Sequence, residues 1–243
     1  MALRKVTPAS VANEIRRTLM AGGSAERASS VQRFFKEEIQ SHGWRTADVR
    51  RASVRWRREI LQQFHLKCLL RVADNLFTGT VSEEKNVAVF LLENITAGFG
   101  DEEFRLLESW LPRISNWSDH DALVHYLIGP MIVAKPARAR KVFRWARSRN
   151  RWYRRAACVA LIQGTRRKMF FSEIMELGDL LLLDEDDMVQ KGLGWLLRET
   201  AKADARRTVP YLMSIRERAS RLVLRTACET LPAGIRKRVL TAP

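Results

Sequence analysis

The sequence predicts an all-α protein, an α-solenoid of stacked helix pairs, and three observations carry that expectation. Apolar residues recur at helical spacing almost throughout, as at Val87, Phe90, Leu91 and Ile95 and again at Phe104, Leu107, Leu111 and Ile114, the period that gathers them on one helix face. No stretch alternates apolar and polar residues well enough to compete as a strand. Breaks at Gly22-Gly23, Ser41-His42-Gly43, Phe77-Thr78-Gly79-Thr80, Gly98 to Asp101, Lys135-Pro136, Arg149-Asn150, Gly164-Thr165 and Lys202-Ala203-Asp204 mark off segments of roughly 12 to 20 residues, an ordinary helix length.

Several of these segments open with capping chemistry. Ser82 stands before Glu83-Glu84, and the run Asp184-Glu185-Asp186-Asp187 stands before a helix expected over Met188 to Thr200, where negative charge favours the positive end of the helix dipole. Consecutive carboxylates on a helix point in different directions, so the run reads as a helix start and not as a metal site. Gly192-Leu193-Gly194 lies within an apolar helical segment and lacks the third glycine of a phosphate loop, which makes it a close helix contact. Helix pairs recurring roughly every 35 to 45 residues without sequence identity point to stacked repeats of the HEAT type. The expectation is a single HEAT-like repeat domain over 1–243 with a concave basic face able to follow a duplex backbone.

Composition narrows the partner. The chain of 243 residues has 43 Lys and Arg against 27 Asp and Glu, a net charge of +16, with 46% hydrophobic residues and a pI near 10.7. It has enough apolar content to bury a sizeable core, and its basic residues recur along the whole length, the footprint of a nucleic-acid partner. Cys68, Cys158 and Cys228 are odd in number and widely spaced, which excludes a zinc knuckle and argues for a reducing cytoplasm. Met1 to Ile15 carries charges and no continuous apolar core, unlike a secretory signal. The most apolar stretch, Ala122 to Ala134, contains His125, Gly129 and Pro130 and is too short to span a bilayer. The sequence therefore reads as a soluble protein of a reducing cytoplasm.

Phosphate loops, nucleophile elbows and paired metal-binding histidines are absent from the sequence. His42, His65, His120 and His125 read as satisfied surface or buried histidines, not ligands. Metal-free, cofactor-free chemistry is the enzymatic option that remains.

Three tryptophan segments carry the most information: Asn116-Trp117-Ser118-Asp119-His120-Asp121, Arg151-Trp152-Tyr153-Arg154-Arg155, and Gln190-Lys191-Gly192-Leu193-Gly194-Trp195-Leu196-Leu197-Arg198-Glu199. Trp117 and Asp121 are four apart, so an electron-rich ring and a carboxylate share one helix face, a pairing suited to a cationic substrate. In order and spacing the three segments resemble the DNA alkylation repair family of AlkD-like DNA glycosylases. The resemblance runs from about Arg27 to Ala203, and Phe34 matches an aromatic site near that family's N-terminus.

The resemblance implies hydrolysis of the N-glycosidic bond of positively charged N3- or N7-alkylated purines in duplex DNA, with 7-methylguanine, 3-methyladenine or bulkier adducts as substrates. It further implies base excision repair by a monofunctional enzyme that does not flip the base. Carried over by motif, Asp121 is the catalytic carboxylate, Trp117 and Trp195 are the aromatic walls around the damaged nucleotide, and Arg155 is a phosphate clamp. Trp152, Arg151, Arg154, Lys191 and Phe34 are the other expected DNA contacts. Trp152 and Trp145 read as core or groove packing and not as catalytic groups, while Trp44, Trp56 and Trp110 read as helix-face packing. Asp119 ranks behind Asp121 as a catalytic candidate. Ser118, where the family often has an acid, and His120 just before Asp121 depart from the common pattern and bear on hydrogen bonding around the carboxylate.

These residue types suit that chemistry in their own right. An alkylated purine already carries positive charge and leaves as a neutral base, so a general acid is less necessary than in ordinary glycoside cleavage. A carboxylate can stabilise the oxocarbenium-like sugar and orient water, and each indole adds on the order of 0.5 to 2 kcal/mol of attraction for the cation. The expected partner is duplex DNA containing alkylated purines, bound by a monomer with no cofactor, no metal, no membrane and no obligate protein partner. The alternative is a non-catalytic HEAT-repeat module that binds branched or distorted DNA, against which the retention of Trp117, Asp121, Arg155 and Trp195 argues. A protein-interaction scaffold would have no use for so much positive charge.

Overall fold

A computed structural model describes residues 7–241. Residues 1–6, part of the segment read as unlike a secretory signal, lie outside them. In chain order the helices are α1 (Pro8–Ala21), α2 (Ala25–Val31), α3 (Thr46–Gln63), α4 (Leu66–Phe77), α5 (Ser82–Leu92), α6 (Asp101–Glu108), α7 (Trp117–Leu123), α8 (Gly129–Ala134), α9 (Val142–Ala146), α10 (Arg151–Val159), α11 (Ile162–Thr165), α12 (Phe171–Leu181), α13 (Asp187–Ala203), α14 (Ala205–Ile215), α15 (Arg221–Ala227) and α16 (Ala233–Leu240). Among the described residues there is no strand, and an isolated bridge pairs Gln40 with Val81. The protein is all-α, as its apolar periodicity predicts. Among the described residues no helix is long and apolar enough to cross a membrane.

The helices fall into two compact units. One comprises the chain up to Gly98 together with Arg113–Leu123, and the other comprises Phe99–Pro112 with the chain from Val124 onward.

The first unit is organised around α5, which packs on α3, α4 and α7 and is buried on nearly every side, from Val87 to Leu92. Its first turn is buried as well, although it consists of Glu83, Glu84 and Lys85. Successive helical residues point about 100° apart, so the three charges reach three different segments. Glu83 accepts the backbone N–H groups of His42, Gly43 and Trp44 at 3.0, 2.8 and 3.0 Å, tying down a loop whose Gly43 has φ +78°, a conformation that favours glycine. Glu84 pairs with Arg16 of α1 at 2.8 Å. Lys85 reaches Asp119 of α7 at 3.3 Å and donates to the Arg113 carbonyl at 2.8 Å. Ser82 does not cap this helix, contrary to the sequence expectation: Val81 is the N-cap residue, without a side-chain cap bond. The Ser82 hydroxyl is drawn instead to Asp119, to which it donates at 3.2 Å.

In the second unit α13 is central, packing on α10, α12, α14 and α15. Its start is the one expected, with Asp186 as N-cap accepting from the N–H groups of Met188 and Val189 at 2.9 and 3.3 Å. The glycine pair is a close contact between helices: a Cβ on Gly194 would stand 2.7 Å from the Thr226 Cβ of α15. Two segment expectations are revised. Gly164-Thr165, expected as a break, forms the last half of α11. Several helices are also shorter than expected, α9 having only 5 residues, because 3-10 turns at Leu111–Arg113 and Pro136–Lys141 interrupt the α pattern where Pro112 and Pro136 remove a backbone donor. Within the apolar stretch Ala122 to Ala134, Val124–Ile128 is wound as a π-helix, a form that often accompanies functional side chains.

Candidate active site

In the first unit α7 holds the candidate carboxylate in place through the residues between Trp117 and Asp121, its two partly exposed groups. Asn116 precedes the helix and accepts the Asp119 N–H on its Oδ1 at 2.9 Å, while its Nδ2 donates to Asp119 Oδ2 at 2.8 Å. Asp119 is 1% exposed and also takes the Ser82 hydroxyl and Lys85. Burial pushes its carboxyl up from the ordinary range, against the pull of Lys85 and of the Asn116 and Ser82 hydrogen bonds. Those contacts make Asp119 the anchor of α7 on α5, so it is removed from the catalytic candidates.

His120 is fully buried, and its Nδ1 lies 2.7 Å from Asp121 Oδ1. An ionised carboxylate only accepts, so Nδ1 carries the proton and the imidazole fixes the carboxylate's orientation. Asp121 keeps 20% of its side chain exposed, enough for an oxygen to meet solvent or a ligand. The His120 departure thus has a definite consequence, since a rigid buried donor holds the carboxylate at its edge.

Trp117, one turn before Asp121 on α7, is half-buried and stacks on Phe35 with ring centroids 5.1 Å apart and planes at 18°. Phe34, expected as a DNA contact, is 76% exposed and contributes no ring contact to that stack. The chain turns through a 3-10 segment at Gln32–Phe34, which leaves the first phenylalanine outward and turns the second inward. Phe35 is the residue that the sequence reading missed; the doubled Phe34-Phe35 was its only signal.

In the second unit Asn150 caps α10 by accepting the Trp152 N–H at 2.8 Å. Three of the expected DNA-contacting cations are already engaged with the acidic run Asp184-Glu185-Asp186-Asp187 at the start of α13. Arg154 pairs with Asp184 at 2.6 Å, Arg151 with Asp186 at 3.6 Å and Lys191 with Asp187 at 3.2 Å. Arg151 also lies over the Trp152 ring at 4.6 Å, and Trp152 itself is 6% exposed, a packing residue. Arg155 is 5% exposed. Its NH1 donates to the Met188 carbonyl of α13 at 2.6 Å, and its Cγ lies where a Cβ on Gly192 would come within 3.2 Å. Glycine at 192 leaves the Arg155 side chain uncrowded where it lies against α13.

Trp195 is half-buried on α13 and stacks on His125 of the π-helical segment at 5.5 Å and 28°. The His125 ring also meets Tyr126 edge-on at 5.3 Å. Phe34, Trp117 and Asp121 therefore belong to one unit, and Trp152, Arg151, Arg154, Arg155, Lys191 and Trp195 to the other. Among the described residues no group of three or more His, Cys, Asp or Glu side chains is arranged to hold a metal ion.

Comparisons with known proteins bear on the fold and the family. Among curated proteins, none matches the chain. A solved structure described as a predicted DNA alkylation repair enzyme from Enterococcus faecalis superposes with a TM-score of 0.78 at 18% sequence identity, covering 87% of this chain and 97% of that one, and so shares the fold. The family model described as DNA alkylation repair enzyme matches residues 15–231, and the chain therefore belongs to the DNA alkylation repair enzyme family.

Proposed function

We propose that the protein is a monofunctional DNA glycosylase that hydrolyses the N-glycosidic bond of positively charged N3- or N7-alkylated purines in duplex DNA, initiating base excision repair. The observation that carries this reading is Asp121: a partly exposed carboxylate, oriented by the buried His120 at 2.7 Å and four residues along α7 from a half-buried indole. That is the equipment for a reaction whose leaving group needs no proton and whose transition state is a sugar cation. Asp121 stabilises the oxocarbenium and orients the attacking water. Trp117, backed by Phe35, and Trp195, backed by His125, offer ring faces to the cationic nucleotide. Arg155 acts as phosphate clamp, its plane set by the bond to the Met188 carbonyl, and a planar fork suits a phosphate better than an ammonium does.

The remaining parts of the reading follow from the same chemistry. Attack on the sugar by a water that a partly exposed carboxylate orients does not require the base to leave the stack, so bulky adducts remain acceptable substrates and flipping is unnecessary. Arg151, Arg154 and Lys191 exchange their carboxylate partners for backbone phosphates when DNA binds. The chain works as one HEAT-like repeat array, as a monomer, in the bacterial cytoplasm and nucleoid. The test is to incubate the protein with methylated duplex DNA and separate the released bases by chromatography. Release of 7-methylguanine or 3-methyladenine supports the reading; binding to branched or distorted DNA without release would favour a non-catalytic module.

A further inference from the structure

The second unit carries a concentration of positive charge that the candidate site does not use. Residues 135–149 contain seven Lys or Arg and no Asp or Glu, and they supply the 3-10 turn at Pro136–Lys141, α9 and the loop after it. Where this segment meets α6 a recess of about 230 Å³ opens, lined chiefly by Asp101, Phe104, Arg105, Lys135, Arg138 and Lys141. Four cations thus share it with one carboxylate. Asp101 is divided between Lys135 at 2.8 Å and Arg138 at 2.7 Å. The Arg138 guanidinium, 5% exposed, is also fixed by its bond to the Met131 carbonyl at 3.0 Å. The charged groups of Arg138 and Lys141 lie 5.0 and 5.5 Å from the centre of the Phe104 ring. Among the described residues no carboxylate pairs with Arg105 or Lys141.

A second recess, with Glu108, Arg144, Ser148 and Tyr153 in its wall, shares Arg105 with the first, so the basic surface continues toward the start of α10. Its carboxylate is occupied, since Glu108 takes both Arg144 and the indole N–H of Trp145. This surface lies on the side of α10 away from Arg155. Tyr153 borders the recess and Arg155, two positions on, is turned to α13; residues two apart on a helix point about 200° apart. A phosphate gripped at Arg155 therefore does not reach it. Concave surfaces lined by one sign of charge over apolar walls focus the field on an oppositely charged ligand. We propose that the recess between α6 and the 3-10 turn takes backbone phosphates of a second DNA segment, so that the protein holds two duplexes at once, one at the candidate site and one here. A membrane surface fits less well, because none of the large apolar side chains exposed among the described residues lines either recess, and a membrane-surface element needs an apolar face to insert. The proposal rests on DNA as the partner, as in the reading above, but not on base release.

The experiment mixes the protein with two short duplexes, one bearing a donor and the other an acceptor fluorophore, and follows energy transfer between them as salt is raised. The wild-type protein should bring the duplexes together while it is limiting, and transfer should vanish when it is in excess and each molecule holds a single duplex. Arg105→Gln/Lys141→Gln should abolish transfer while leaving the affinity for one duplex and the melting temperature unchanged. The log–log salt slope of the second binding step should become shallower by about 1 for each cation removed. Arg105→Lys/Lys141→Arg keeps the charge and should retain transfer.

No transfer with the wild-type protein, or transfer unchanged in the double glutamine variant, would sink the proposal. Loss of single-duplex affinity together with transfer would put these cations on the candidate site's own DNA path and overturn it as well. If vesicles rich in phosphatidylserine, and not a second duplex, are bound through Arg105 and Lys141, the surface is a membrane contact and the proposal falls. Because transfer is read without turnover, bridging by a protein that releases no base would remove the glycosylase reading and leave this one standing, and base release without bridging would do the reverse.

Discussion

Lys85→Met tests whether the buried pair between α5 and α7 positions the candidate carboxylate. Lys85 and Asp119 have side chains 4% and 1% exposed, 3.3 Å apart. At that separation and an effective dielectric near 20, their attraction is about 5 kcal/mol, and Lys85 also gives up its bond to the Arg113 carbonyl, about 1 kcal/mol net. Relief of the buried ammonium's own desolvation offsets part of this, so the expected loss at neutral pH is about 3–5 kcal/mol, the usual result of orphaning one member of a buried pair.

The pH dependence follows from the remaining carboxylate. Burial already pushes Asp119 above its ordinary value of 3.8, and Lys85 is the main opposing influence; its removal raises the folded-state value further. A carboxyl whose folded value exceeds its unfolded one destabilises as pH rises through that interval, because the folded form must then hold a charge that water would solvate. The deficit of Lys85→Met should therefore shrink as pH falls from neutral toward 3.8. Urea unfolding at several pH values gives the stability, and the double variant Lys85→Met/Asp119→Asn should recover more than half of the loss, since the uncompensated charge is gone. Base release per folded molecule should fall in the single variant, because α7 loses its anchor although neither residue touches substrate. A loss below about 1 kcal/mol at neutral pH, or a deficit that does not diminish on acidification, would refute this account.

Asp121→Asn should leave melting and DNA affinity nearly unchanged and slow base release by at least about tenfold, or roughly 1.4 kcal/mol of barrier, as read in single-turnover assays. Arg155→Lys loses the bond to the Met188 carbonyl and should cost about 1–3 kcal/mol of stability in addition to slowing turnover; normal turnover per folded molecule would take Arg155 out of the site. Affinity for undamaged duplex should fall with salt at about −0.9 in log–log slope per phosphate neutralised, and because Arg151, Arg154 and Lys191 are paired with Asp186, Asp184 and Asp187, Asp184→Asn should raise that affinity; an unchanged or lower affinity would show that Arg154 does not exchange its partner for phosphate. Asp101 is held at about 2 by hydrogen bonds from Lys135 and Arg138, so its contribution is present above the ordinary carboxyl range and lost as pH falls through that value; Asp101→Asn should flatten the acid end of the stability profile, and an identical profile would count against the pair.

What the sequence determined by itself is local. Helical periodicity follows from the 3.6-residue turn, and with it the shared face of Trp117 and Asp121 on α7, since both lie within one helix. The Asp186 cap and the close packing of Gly194 were legible for the same reason: a cap is completed by residues two and three positions on, and an apolar helix face with glycines has few other uses. The family motif was equally legible, as a pattern of spacing.

Which partner a side chain meets was decided only by tertiary structure. Ser82 looked like a cap until Asp119, 37 residues away, offered a buried acceptor. Phe34 and Phe35 are chemically identical neighbours, and only the 3-10 turn at Gln32–Phe34 selects which of them reaches Trp117. The burial of Arg155 depends on α13 approaching where Gly192 leaves room, and the stack of His125 on Trp195 joins residues 70 positions apart in the chain. A propensity encodes what a residue does with its near neighbours; the free energy that chooses between two satisfactory partners comes from desolvation and packing, and those depend on which distant segments the fold brings into contact.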